Sequence, residues 1–198
     1  MVSTAPGAAV FLDRDGTLIE EVGYIDRVER VALFPWSIDA VRALNTAGFR
    51  VIVVTNQSGV ARGFFTEGMV EDIHRRIAAL LAAGGARIDA YYYCPHHPDG
   101  RVERYARRCD CRKPARGLID RAVQELGIDP ARSFVTGDRL LDVQLARTVG
   151  ARGILVRTGF GQTEESSGAG TAPDAVVNNL IEAVSWILLN AQATISLD

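Results

Sequence analysis

The amino-acid sequence predicts a doubly wound, Rossmann-like α/β fold around a parallel sheet, and three observations point to it. Short apolar, β-branched runs alternate with longer stretches whose apolar residues recur every three or four positions. Glycines stand where the longer stretches should stop. Clusters of polar residues follow the apolar runs, and in such folds ligands lie beyond the carboxyl ends of the strands.

Val10, Phe11 and Leu12 form the first predicted strand. Ile38, Val41 and Leu44 then mark one buried helix face that stops at Gly48. Residues 51–54 read Val-Ile-Val-Val, a continuous run suited to a parallel strand buried on both faces. Met69, Ile73, Ile77 and Leu80 mark a second helix ending at Gly84, and residues 88–93 a third strand. Ile119, Val123 and Leu126 lead to Gly127, and residues 133–136 give a fourth strand. Leu141, Leu145 and Val149 lead to Gly150, and residues 153–156 give a fifth. Residues 162–173, rich in Ser, Gly, Thr and Glu, read as a mobile connection, and residues 179–191 as a closing helix. With no internal repeat, residues 1–198 are expected to form one domain.

Composition narrows the function. The chain is 47% apolar and 23% charged, as soluble globular proteins are. A net charge of −2 lacks the basic excess that a nucleic-acid partner would require. Residues 1–9 carry no charged leader, and no apolar run is long enough to span a bilayer. A cytoplasmic enzyme is the expectation. The three cysteines, Cys94, Cys109 and Cys111, fall within 18 residues, which makes a poor disulfide framework.

Four polar clusters sit at predicted strand ends or helix starts: Asp13-Arg14-Asp15-Gly16-Thr17, Thr55-Asn56-Gln57-Ser58-Gly59, Arg112-Lys113-Pro114, and Gly137-Asp138 with Asp142. Each alone reads as a turn, a solvated loop or, for Lys113 before Pro114, a surface residue. Their joint order is hard to obtain from structural need. Two aspartates two residues apart can share one site, one attacking phosphorus while the other protonates the leaving oxygen and then activates water. Carboxylates facing a phosphate need a hard, oxygen-seeking cation, and Mg²⁺ suits. Asp138 adds a carboxylate, while Thr55 and Lys113 add a hydroxyl and a positive charge for the phosphoryl group.

Through Phe11-Leu12-Asp13-Arg14-Asp15-Gly16-Thr17-Leu18, Val53-Val54-Thr55-Asn56-Gln57, Lys113-Pro114 and Gly137-Asp138 with Asp142, the sequence resembles the haloacid dehalogenase (HAD) superfamily. The resemblance covers residues 10–158. It implies Asp13 as nucleophile, Asp15 as general acid/base, and Thr55 and Lys113 on the phosphoryl group. It also implies Mg²⁺ on Asp13, the Asp15 main-chain carbonyl and Asp138, supported by Asp142. An aspartate at position 15 implies a phosphatase, since dehalogenases of the family lack it.

The cysteines form the pattern Cys94-x-His96, twelve residues, Cys109-x-Cys111, three thiolates and an imidazole suited to a closed, structural zinc site. The spacing favours His96, with His97 as the alternative ligand and iron as the alternative metal. Three plain buried cysteines are the competing explanation. Against it, every cysteine lies in one Arg- and Asp-rich loop beside two of the chain's three histidines. His74 reads as a surface or partly buried residue. The loop runs directly into Arg112 and Lys113, so fixing Cys111 would fix both cations.

Within the superfamily, Asn56-Gln57-Ser58-Gly59-Val60-Ala61-Arg62-Gly63 and Cys94-Pro95-His96-His97-Pro98-Asp99-Gly100 resemble the D-glycero-D-manno-heptose 1,7-bisphosphate phosphatases. That implies a compact enzyme without a large cap domain, acting in nucleotide-heptose biosynthesis on a small phosphorylated sugar. A protein of this kind can work as a monomer, with no membrane partner. Arg112 would hold the phosphate that is not cleaved, and Asn56, Gln57 and Ser58 would lie near the sugar. The histidinol-phosphate phosphatases share the zinc cluster and are the rival. A non-catalytic receiver-like module is the alternative of a different class.

Overall fold

Six parallel strands make one sheet in the order β3-β2-β1-β4-β5-β6 in the computed structural model, which describes residues 7–168 and 170–195. The strands are β1 (Ala9–Leu12), β2 (Arg50–Asn56), β3 (Ala90–Cys94), β4 (Phe134–Gly137), β5 (Arg152–Val156) and β6 (Ala175–Val177). The helices are α1 (Ser37–Thr46), α2 (Gly59–Arg62), α3 (Glu67–Ala83), α4 (Gly117–Leu126), α5 (Leu140–Val149), α6 (Gly161–Ser167) and α7 (Leu180–Ile195). The sheet order reverses on either side of β1, and that switch opens a crevice at the carboxyl ends of β2, β1 and β4.

The strand period of two assigns the layers. Val10, Leu12, Val51 and Val53 pack with Val41, Leu44, Ile73 and Ile77 of α1 and α3 and with Val184 and Ile187 of α7. Ala9, Phe11, Ile52 and Val54 point the other way, against Leu118, Ile119 and Ala122 of α4 and Leu145 and Ala146 of α5. Strands buried on both faces cannot alternate with polar residues, which is why they read as unbroken apolar runs.

Several elements differ from the sequence expectation. Residues 162–173 are not simply a connection, because α6 occupies their first half. That short polar helix is held by charge: Arg157 grips Glu165 at 2.7 and 2.8 Å, and Glu164 Oε2 accepts from Leu140 N at 3.2 Å. It has no apolar period to read. The three-residue β6, too short for a pattern, pairs with β5. At the end of α3 the left-handed residue is Gly85, at φ 73°, while Gly84 has φ −101°. The face of α3 is also turned slightly, burying Val70, His74 and Leu81 and leaving Met69 and Leu80 only partly buried. His74 is therefore interior, stacked on Tyr91 with ring centroids 4.7 Å apart. Burial, and next the Arg14 charge, pull its pKa down to about 3.

Among the described residues no large cap follows β1 or β3, and no helix is long and apolar enough to cross a membrane.

Candidate active site and cysteine cluster

Asp13 leaves β1 with its main-chain N–H still bonded to Thr136 O at 2.9 Å, so the sheet ladder itself carries it to the crevice. Asp138 follows β4, Thr55 ends β2, Asp142 lies in the first turn of α5, and Lys113 precedes α4. Carboxylate oxygens of Asp13, Asp138 and Asp142 lie within 4.8 Å of one another. Among the described residues the cation ion-paired with this cluster is Lys113, 3% exposed, whose Nζ is 2.8 Å from Asp13 Oδ1 and 2.6 Å from Asp142 Oδ1. It also donates to Val54 O at 2.9 Å. Asp13 Oδ1 accepts the Arg14 N–H too, at 2.8 Å, which sets the plane of that carboxylate.

One ammonium does not balance three buried carboxylates, and burial adds to the cost of keeping them charged. Burial, and next the neighbouring Asp13, push Asp138 up to about 8 against the opposing bond from Phe160 N–H. Burial likewise pushes Asp142 up to about 6 while Lys113 pulls it down. Burial alone would lower Lys113, but Asp13 and Asp142 carry it above its ordinary value. Crowded oxygen donors short of positive charge fit a hard divalent cation, and Asp13 and Asp138 could hold Mg²⁺, with Asp142 beside them on Lys113.

Two glycines make room for this arrangement. A Cβ on Gly16 (φ 77°) or Gly159 (φ 56°) would stand 2.2 Å from Asp138 Oδ2. Only glycine tolerates both the conformation and the approach.

Not every expected residue faces this cluster. The Asp15 carboxylate turns to Arg14 and Gln57 instead. Thr55 Oγ1 accepts from Gln57 Nε2 at 2.9 Å. Asn56 spends its amide on Lys113, donating to its carbonyl at 3.2 Å and accepting its N–H at 3.0 Å. Gln57, expected near the sugar, is 4% exposed and bonds to Arg14, Asp15 and Thr55. Ser58 remains in the lining. The cleft above these groups measures about 380 Å³ and is lined also by Arg112, Glu21, Tyr24, Arg139 and Phe160. The last four have no signal in the sequence. Arg139 stacks 3.9 Å above the Phe160 ring, and Tyr24 packs on Phe64 with centroids 4.6 Å apart. These contacts join segments far apart in the chain.

Beside the cleft, Cys94 at the end of β3 meets Cys109 and Cys111 with Sγ–Sγ distances of 3.5 and 3.2 Å, and those two sulfurs are 3.4 Å apart. His96 Nδ1 lies 3.3 Å from Cys111 Sγ and 3.8 Å from Cys94 Sγ. The four ligand atoms fit within 4.8 Å, so this set could hold a tetrahedral metal. His97 lies outside it, accepting from Asp99 N at 3.1 Å, with its Nε2 3.3 Å from Arg62. The loop is anchored where Arg101 and Val102 donate to Ala61 O at 2.7 and 2.9 Å, and by Tyr105 on Glu67. From it Arg112 reaches the cleft, its Nη1 3.3 Å from His96 O.

Residues 9–141 match the family model described as polynucleotide kinase 3 phosphatase, and residues 110–183 that described as HAD-hydrolase-like. The D-glycero-beta-D-manno-heptose-1,7-bisphosphate 7-phosphatase of Escherichia coli strain K12 is 44% identical over 176 residues, 88% of this chain and 90% of that one. The chain belongs to the HAD family of hydrolases. A second member, the D-glycero-D-manno-heptose-1,7-bisphosphate 7-phosphatase of Thermosynechococcus vestitus, is 44% identical over 188 residues, 92% and 96% of the two chains. Among solved HAD structures, the D,D-heptose 1,7-bisphosphate phosphatase of B. bronchiseptica, complexed with magnesium and phosphate, superposes with a TM-score of 0.83. It is 30% identical over 92% of this chain and 99% of that one. Like these relatives, the chain is a phosphoric monoester hydrolase.

Proposed function

We propose that this HAD enzyme removes the 7-phosphate of D-glycero-D-manno-heptose 1,7-bisphosphate through an aspartyl-phosphate, in nucleotide-heptose biosynthesis. The observation that carries the reading is the pairing of two anion-reading features in one cleft. The buried Asp13–Lys113 pair lines the cleft together with Thr55, and Arg112 reaches the same cleft from the cysteine loop. The relatives named for the heptose bisphosphate support this substrate.

In the first half-reaction an Asp13 oxygen bonds to phosphorus, the bond from phosphorus to the sugar oxygen breaks, and Asp15 gives that oxygen its proton. In the second, Asp15 takes a proton from water, whose oxygen attacks phosphorus, releasing phosphate and restoring Asp13. Lys113 and the Thr55 hydroxyl steady the phosphoryl oxygens, and Arg112 holds the phosphate that stays. Ser58 faces the sugar. Mg²⁺, when bound, would offset the charge of the phosphoryl group, held by Asp13, the Asp15 carbonyl and Asp138, with Asp142 in support. Zn²⁺ on Cys94, His96, Cys109 and Cys111 would be structural, keeping Arg112 and Lys113 in place. Free cysteines suit a reducing, cytoplasmic compartment, and the enzyme is read as a monomer with no nucleic-acid or membrane partner.

Phosphate release with Mg²⁺ is to be compared for the heptose bisphosphate, histidinol phosphate and fructose 1,6-bisphosphate, with Asp13→Asn as control. The expected result is the highest kcat/KM for the heptose and none in the variant. Preference for histidinol phosphate would reassign the substrate. Turnover of none by folded, metal-loaded protein would favour a binding module.

A further inference from the structure

The buried arginine between the two aspartates is left without a task by the proposed reaction. Arg14 is 1% exposed, and a guanidinium so deep must be paired. Its Nε lies 3.3 and 3.1 Å from Asp15 Oδ1 and Oδ2, and its Nη2 3.0 Å from each. Nη2 also donates to Gln57 Oε1 at 3.0 Å. Gln57 Nε2 closes the ring by donating to Asp15 Oδ2 at 2.9 Å, and reaches Thr55 Oγ1 at 2.9 Å.

We propose that Arg14 and Gln57 are positioning residues that hold the Asp15 carboxylate at the cleft for the leaving oxygen of the substrate, an inference that rests on reading Asp15 as the proton donor. A carboxylate offers about four lone-pair sites over its two oxygens. Oδ1 accepts from Nε and Nη2 of Arg14 and Oδ2 from Arg14 and Gln57, yet the Asp15 side chain lines the cleft at 18% exposure while Arg14 and Gln57 are buried. The buried ring thus holds its one partly exposed member, the Asp15 carboxylate, against the cleft. The fork contact fixes the carboxylate in its own plane, which a point-charge lysine could not do. The Gln57–Thr55 bond then registers that plane to the proposed phosphoryl site. Stability gives little reason for such a ring, because apolar side chains of similar volume serve a core as well as a buried ion pair. Accurate placement of a proton donor does give a reason.

The test is single-turnover cleavage, with enzyme in excess over substrate, of two phosphate esters. A sugar phosphate needs its leaving oxygen protonated; 2,4-dinitrophenyl phosphate does not. Arg14→Gln should slow the sugar phosphate about 100-fold and Gln57→Leu about 10-fold, while the dinitrophenyl ester slows less than about threefold in both. Arg14→Lys, which keeps the charge and loses the fork, should follow Arg14→Gln. Retained turnover of the dinitrophenyl ester itself shows that the variants fold. Parallel loss on both esters in Arg14→Gln and Gln57→Leu would assign the ring to structure alone and overturn the proposal. Asp15→Asn is run alongside. If it shows no selective loss on the sugar phosphate, the reading of Asp15 is what fails. If it does and the other variants do not, only the positioning role fails.

Discussion

Replacing Asp138 by asparagine should make the magnesium-free protein more stable at pH 8, although it removes a carboxylate from the proposed metal site. Asp138 is 1% exposed and shares its surroundings with Asp13 and Asp142. Its pKa rises from 3.8 to about 8, so over that interval the folded protein holds a proton that the unfolded chain has lost. Stability from this group is therefore complete below about pH 4 and drains away as the pH rises to about 8. Four pH units at about 1.4 kcal/mol each set a ceiling of about 5–6 kcal/mol. Relaxation around the ion and water entering the open cleft reduce this to about 3 kcal/mol. Asparagine has the same shape, keeps an oxygen for the Phe160 N–H, and carries no charge. For a chain of this size about 3 kcal/mol corresponds to roughly 6–12 °C in Tm. The assay is thermal unfolding of both proteins from pH 5 to 9 in magnesium-free buffer, with the cysteine cluster left loaded. The difference between the curves cancels His74 and the thiols, which titrate alike in both. Added Mg²⁺ should raise the wild-type Tm at pH 8 and leave the variant nearly unmoved. A difference that does not change with pH, or a variant less stable at pH 8, would refute the reasoning.

Two further outcomes follow from the site geometry. Gly159→Ala forces a Cβ to 2.2 Å from Asp138 Oδ2 in a left-handed conformation, so phosphatase kcat should fall by about 100-fold or more. Unchanged kcat would show that the Asp138 carboxylate is not held by this close approach. If Zn²⁺ fills the cysteine cluster as proposed, His96→Asn should lower the zinc bound per chain, read by a colorimetric chelator after thiol modification, while His97→Asn should leave it near the wild-type value. Equal loss in both would mean that His97 also serves the cluster.

Some of this was legible in the amino-acid order because the relevant physics is local. Parallel strands buried on both faces must be apolar throughout, so Val51 to Val54 announce themselves. Polar residues just past such runs must lie at the sheet's carboxyl edge, which places Asp13, Thr55 and Asp138 at one crevice before any coordinate is known. Cysteine and histidine crowded into a loop without an apolar core likewise declare themselves by residue type. What the tertiary structure alone decided is where side chains point once distant segments meet. Arg14 could have been a solvated turn residue; only packing against Gln57, 43 positions away, buries it as the partner of Asp15. Lys113 reads as a phosphate-binding cation, yet its link to Asp142 depends on how α5 seats against the sheet. His96 and His97 are neighbours of the same type, and the path of the loop turns one to the sulfurs and the other to Arg62. The polar α6 carries no period at all, because its hold comes from ion pairs to Arg157 and a bond from Leu140, and such contacts leave no repeating trace in a sequence.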